Sequence, residues 1–219
     1  MGWYVPGLRL NDAWIRIFHW MYPKRPLCYS EYGCEGMPNL HSSKPSRGDH
    51  SEEYQAIYHE FMLQCFARHP YLWGNFVWNM FDCAADARDQ GGEAGRNHKG
   101  LVTFDRQTKK DSFYLYKAHW NQTEPFVHLC SRRYVERPEW MTLVKVYSNQ
   151  SQVTLYANGI PVDSQQGGPV FRFRVPLTGE VTLRAVAGDC EDTCVIRHVD
   201  KPNPAYRLNK GNSTSANWV

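Results

Sequence analysis

Residues 27–36, LCYSEYGCEG, carry an apolar run into a carboxylate, an aromatic and a glycine. Strands that enter a core usually end on inert side chains, so a glutamate at position 31 needs a reason, and its surroundings supply one. Upstream, Leu10 to Tyr22 reads as a helix closed by Pro23 and Pro26, since proline cannot continue one. Downstream, the loop of residues 37–50 leads into a second helix. There Tyr54, Ile57, Tyr58, Phe61, Cys65 and Phe66 recur at the i, i+3, i+4, i+7 spacing of one buried face. Asp49 or Ser51 can cap this helix, Glu52 and Glu53 suit its positive end, and Pro70 lies past its last turn. Residues 71–81, YLWGNFVWNMF, read as a strand too apolar to be exposed on either face. A polar, glycine-rich loop spans 86–100, and an amphipathic helix covers 111–120. Strand, helix, buried strand and helix, with polar residues gathered after the strands, predict an α/β unit of the barrel or doubly wound kind.

After Trp120 the period falls to two. MTLVKVYSN (141–149), QVTLYANG (152–159), VFRFRVP (170–176) and EVTLRAVAG (180–188) alternate inward and outward residues, with Asn-Gly, Gly-Gly-Pro and Thr-Gly turns between them. Short strands so spaced predict an antiparallel β-sandwich. The expected division is therefore an α/β segment over 1–122, a sandwich over 123–200 and a loosely held polar tail over 201–219, with the boundary near Asn121 to Pro125.

The 219 residues suffice for two domains, and the net charge of +3 is spread without a long basic run, which argues against nucleic acid or an anionic membrane surface as a partner. No apolar stretch approaches the roughly 18 residues of a membrane span. Seven cysteines, at 28, 34, 65, 83, 130, 190 and 194, form no CxxC pair and no zinc-type spacing with histidine. Cys190 and Cys194 are close enough to pair in a hairpin, yet the odd count favours reduced thiols. Aromatics make up 14% of the chain and many lie beside glycines and polar residues. That suits a pocket that stacks on flat apolar faces as well as it suits a core.

Glu31 sits where a barrel places its working groups, at the C-terminal end of a strand. A loop carboxylate that caps a helix or pairs with an arginine is the plain alternative. Glu35 is the nearest second carboxylate, and is better read as facing solvent or holding the loop. Trp78 can floor a sugar site or pack in a core. Asn97 and Lys99, flanking His98, can bind hydroxyls or a carboxylate.

SEYGCEG (30–36), FVWNMFD (76–82) and NHKGLVTFDRQTKKDSFYLYKAHW (97–120) closely resemble the last part of the catalytic barrel of glycoside hydrolase family 2, the family of β-galactosidases, β-glucuronidases and β-mannosidases. GWYVPG (2–7) is similar to the end of that family's Asn-x-Tyr-x-Gly-Trp-Tyr segment, and residues 144–162 resemble the Ig-like sandwich that trails the barrel in many bacterial members. The resemblance implies the C-terminal portion of a (β/α)8 TIM barrel, about strands seven and eight, followed by an Ig-like sandwich. It also implies a retaining mechanism with two carboxylates about 5 to 5.5 Å apart. Glu31 then matches the nucleophile, Trp78 the aromatic wall of the sugar subsite, Tyr4 and Tyr32 further pocket residues, and Asn97 and Lys99 the pair that holds a glucuronate carboxylate. The family's acid/base glutamate follows an asparagine, and the chain has no Asn-Glu dipeptide. The expectation is thus a C-terminal fragment, inactive alone and prone to associate through open strands. The main substrate expectation is a terminal β-D-galactoside, because the long loop 86–100 and the trailing sandwich look like galactosidase-type members. A β-glucuronidase, or a non-catalytic carbohydrate-binding module, are the alternatives. No cofactor is implied, although a structural or activating Mg, Na or Ca ion in the complete enzyme is compatible with the family. So are a homo-oligomer and a bacterial cytoplasmic or periplasmic location.

Overall fold

The computed structural model describes residues 7–88 and 92–208. Its first half contains α1 (Arg9–Met21), β1 (Leu27–Tyr32), α2 (Glu52–Ala67), β2 (Leu72–Val77), the two-residue strands β3 (Cys83–Ala84) and β4 (Arg96–Asn97), and α3 (Asp111–Trp120). Strands β1 and β2 pair in parallel, Tyr29 opposite Asn75 and Tyr32 opposite Val77, with α2 as the crossover. Ser51 caps α2 by accepting the Tyr54 amide at 3.1 Å. Asp49 in turn holds Ser51 through its amide and hydroxyl.

The core of this half lies on the helix side of the strand pair, among Tyr32, Tyr58, Met62, Cys65, Phe66, Leu101 and Tyr116. The opposite side is open. Trp73 is 65% exposed and Phe76 52%, which corrects the expectation that residues 71–81 are buried on both faces. The cause is that β2 hydrogen-bonds only to β1 among the described residues, so the two strands are covered on one side alone.

Helix α2 departs from expectation in the other direction. Besides Tyr58, Cys65 and Phe66 of its predicted apolar stripe it buries Glu52, Gln55, His59 and Glu60, because α3 and the loop before it pack on Gln55 and His59, and the second half packs on Glu52 and Glu60. There Glu52 accepts the Asp111 amide at 2.8 Å and a fork from Arg133. Asp111 faces His128 Nε2 at 2.9 Å and accepts the Ser131 amide. Two turns further along α2, Glu60 accepts the Tyr147 hydroxyl and pairs with Lys145 and Arg172.

The second half comprises β5 (Val127–Leu129), β6 (Glu136–Arg137), β7 (Met141–Ser148), β8 (Gln152–Ala157), β9 (Ile160–Gln166), β10 (Val170–Pro176), β11 (Glu180–Ala187) and β12 (Cys190–His198), then a 3-10 turn at Pro204–Tyr206. A three-stranded sheet, β10-β7-β5, and a five-stranded one, β6-β12-β11-β8-β9, enclose a single core that includes Val144, Val146, Leu155, Phe171, Phe173, Leu183 and Ile196. The four predicted strands are all present. Strand β9 escaped notice because it is an edge strand with a proline and turns only Val162 toward the core. Cys190 and Cys194 both lie on β12, opposite Ala187 and Leu183, and are free thiols, so they do not face each other across a hairpin. The start of the expected loose tail is held: the Tyr206 carbonyl accepts the His41 amide at 2.9 Å, and its ring meets His41 and Tyr134 edge-on.

Candidate active site

Strand β1 delivers its last two side chains to opposite sides. Tyr32 turns into the core with no exposed surface. Its hydroxyl accepts from Tyr116 at 2.9 Å and donates to Asn75 at 3.3 Å, while Tyr116 lies 2.8 Å from His59 Nδ1. Burial pushes the Tyr32 phenol up to about 12, against the Tyr116 hydrogen bond. Its ring packs against Tyr29, His59 and Phe66 and its hydroxyl is committed to Tyr116 and Asn75, which corrects its expected place in the pocket. Glu31 is half-buried on the other side and has no hydrogen-bond partner among the described residues.

The strand end is locked to the Trp78 segment by the absence of a side chain at position 33. The Trp78 amide donates to the Tyr32 carbonyl at 2.8 Å, and a Cβ on Gly33 would stand 2.0 Å from the Trp78 carbonyl oxygen. Trp78 itself is 42% exposed, available for stacking on the open side. Gly100 plays the same part at the second junction, where a Cβ would stand 2.0 Å from the Asp82 amide nitrogen. The Asp82 carboxylate accepts the Gly100 amide and the Lys110 ammonium at 2.9 and 2.7 Å. Gln55 reaches up from α2 to donate to the carbonyls of Cys34 and Gly100.

Asn97 and Lys99 are both buried. The Asn97 side-chain oxygen accepts the Lys99 amide at 3.0 Å, shaping the turn. The Lys99 ammonium lies 2.7 Å from Glu35, whose carboxylate also takes Arg88 and the His98 amide, each at 2.7 Å. Glu35 therefore holds the loop and is no partner for Glu31. Burial works against its charge, but Lys99 outweighs it and keeps the carboxyl below the usual range. Burial lowers Lys99, with Glu35 opposing. Gln55, Arg88, Asp82 and Lys110 were not singled out from the sequence. Their partners are 18 to 53 residues away, and no local spacing marks them. Tyr4 lies outside the described residues.

Among the described residues two groups have donor sets suited to a metal ion, Asp12 with Cys65 and His69, and Asp111 with His128 and Cys130. Arginines already serve both carboxylates, Arg16 and Arg68 at Asp12 and Arg133 at 4.0 Å from Asp111, so neither invites a further cation.

No protein-family model matches the chain. It is 34% identical to a β-glucuronidase of Bacteroides fragilis over 170 residues, 75% of this chain and 24% of that protein. Among solved structures it superposes on an FMN-binding β-glucuronidase from F. prausnitzii L2-6 with a TM-score of 0.90 and 48% identity, covering 95% of this chain and 32% of that one. A Bacteroides fragilis structure assigned as a β-galactosidase gives 0.85 and 31%, covering 93% and 32%. Bacteroides uniformis β-glucuronidase 2, covalently bound to cyclophellitol-6-carboxylate aziridine, gives 0.79 and 31%, covering 91% and 25%. The chain thus spans about a quarter to a third of the length of the relatives it matches. By sequence and by structure it belongs to the family 2 type of glycoside hydrolases that includes the β-glucuronidases.

Proposed function

We propose that the chain is the carboxyl-terminal part of a retaining β-glucuronidase, contributing the last strands of a (β/α)8 barrel and an Ig-like sandwich. This reverses the order of the two substrate expectations. Of the four relatives reported above three are β-glucuronidases and one a β-galactosidase, and the resemblance to galactosidase-type members carries less weight than that. The observation that carries the reading is the junction of Gly33 with Trp78 and Lys99. There the backbone just after Glu31 runs against the residues that carry the exposed indole and the buried lysine, since a Cβ on Gly33 would stand 2.0 Å from the Trp78 carbonyl oxygen and 3.8 Å from Lys99 Cβ.

In this reading the Glu31 carboxylate attacks the anomeric carbon and forms a glycosyl-enzyme that water later releases. Trp78 stacks on the C–H face of the sugar. Asn97 shapes the turn that presents Lys99 toward the uronate carboxylate. The acid/base carboxylate and the remaining barrel strands come from sequence outside these 219 residues. The exposed side chains Trp73 and Phe76 suit a barrel interior that those strands complete.

The test is parallel turnover of nitrophenyl β-D-glucuronide and β-D-galactoside by the complete enzyme. Preferential cleavage of the glucuronide, abolished by Glu31→Gln, is expected. Cleavage of the galactoside alone overturns the substrate, and an active Glu31→Gln enzyme overturns the nucleophile.

A further inference from the structure

Lys99 is a buried cation, 1% exposed at its side chain, and its ammonium meets a carboxylate of its own chain before any substrate arrives. That carboxylate is gathered tightly. Three donors from three places, the Arg88 guanidinium, the Lys99 ammonium and the His98 amide, each reach Glu35 at 2.7 Å. Gly36 adds a bond from its amide to the His98 carbonyl at 3.0 Å, so the segment after β1 and the segment carrying Lys99 are tied on both sides of the ion pair.

We propose that Glu35 is a specificity-determining positioning residue: it keeps Lys99 charged and aimed for the carboxylate of an acidic sugar, and contributes nothing to recognition of a neutral one. The inference rests on the reading of Lys99 as a sugar-carboxylate ligand. An ammonium removed from water favours its neutral form unless an anion stands beside it, and Glu35 is the anion bonded to this one. An ammonium also has three N–H donors, so holding one carboxylate does not prevent it from sharing a second. The other titratable groups facing the pair are Arg88, Lys110, His50 and Asp49 ahead of α2, His98 and the Cys34 thiol. Burial keeps His50 below its usual range and hence neutral at neutral pH. Burial raises the Cys34 thiol, which stays protonated. Neither substitutes for Glu35 as a counter-ion.

The variants are Glu35→Gln, Glu35→Asp and Lys99→Ala in the complete enzyme, assayed from pH 5 to 9 on nitrophenyl β-D-glucuronide and on the matching β-D-glucoside and β-D-galactoside. Glu35→Gln should raise KM for the glucuronide roughly tenfold or more, the loss of about one charge pair. The loss should grow as pH rises, because Lys99 without its counter-ion gives up its proton at a lower pH. Its kcat and the slow turnover of the neutral sugars should stay near wild type, and Glu35→Asp should recover part of the affinity. Equal losses on acidic and neutral sugars would reduce Glu35 to a loop staple and overturn the inference. So would a tighter glucuronide KM in Glu35→Gln, which would make Glu35 a competitor for Lys99. If Lys99→Ala leaves the glucuronide KM unchanged, the carboxylate reading of Lys99 fails, and the inference falls with it.

Discussion

Glu60 offers the sharpest test of how the two halves of the chain are joined. Its carboxylate, 8% exposed, accepts the Tyr147 hydroxyl at 2.5 Å, lies 2.5 Å from Lys145 and also pairs with Arg172. Glu60→Ala removes all three contacts and leaves unequal residues behind. Tyr147 is fully buried, and burial holds its phenol protonated and in need of an acceptor; orphaning it costs about 1–3 kcal/mol. Lys145, 15% exposed at its side chain, loses its counter-ion in a place that water reaches poorly; breaking a buried pair by removing one partner costs about 3–5 kcal/mol. Partial exposure reduces that share, and Arg172, 44% exposed, rehydrates almost freely. The expected total is about 3 kcal/mol, roughly a 150-fold change in the folded-to-unfolded ratio. Urea unfolding followed by tryptophan fluorescence measures it. Lys145→Met combined with Glu60→Met should lose much less than the two single changes together, since an apolar pair replaces an ionic one. A Glu60→Ala loss under about 1 kcal/mol, or strict additivity in the double variant, would refute the claim that this cluster fastens the sandwich to α2.

Two further predictions concern the α/β half. Gly33→Ala places a methyl 2.0 Å from the Trp78 carbonyl oxygen, so backbone must move on one side or the other. A stability loss of about 1–3 kcal/mol is expected, together with a loss of glucuronide turnover out of proportion to it, and a variant that keeps full turnover would refute the locked junction. Burial, aided by the Lys110 charge, drops His59 from 6.5 to about 3. Its folded-state value is depressed, so the unfolded chain takes up a proton that the folded chain refuses. Stability therefore falls as pH drops through the window from 6.5 to 3, by about 1.4 kcal/mol per pH unit. Unfolding midpoints of wild type and His59→Gln, compared across that range, should diverge in slope by one proton; parallel profiles would show that His59 does not refuse it.

Sequence pattern carried the architecture further than it carried the site. Periodicity located α2 and four sandwich strands because an apolar stripe is a local property. It missed that Gln55, His59 and Glu60 are buried, because their partners Gly100, Tyr116 and Tyr147 come from 45 to 87 residues away. That Glu31 and Trp78 stand at strand ends was readable from the sequence. Tyr32 was misplaced because a resemblance marks a position, whereas the alternation of a strand decides which side its neighbour faces. Lys99 was legible as a cation near the site, but its counter-ion, 64 residues earlier, was not.

The two glycines show why the motif residues cluster as they do. A catalytic carboxylate at the end of a parallel strand is useful only if the neighbouring strand ends bring their side chains within one sugar's width of it, and Cβ atoms keep backbones apart. At Gly33 and at Gly100 that spacer is absent, letting the strand end approach the Trp78 carbonyl and the Lys99 turn approach Asp82. The polar groups that close approach would otherwise bury unpaired are then consumed in pairs: the Trp78 amide by the Tyr32 carbonyl, the Gly100 amide by Asp82, and the His98 amide by Glu35. Many residues of the three motifs are therefore buried and serve to build a wall. Glu31 and Trp78 keep exposed surface, and in the proposed reading the chemistry of this half-site falls to them.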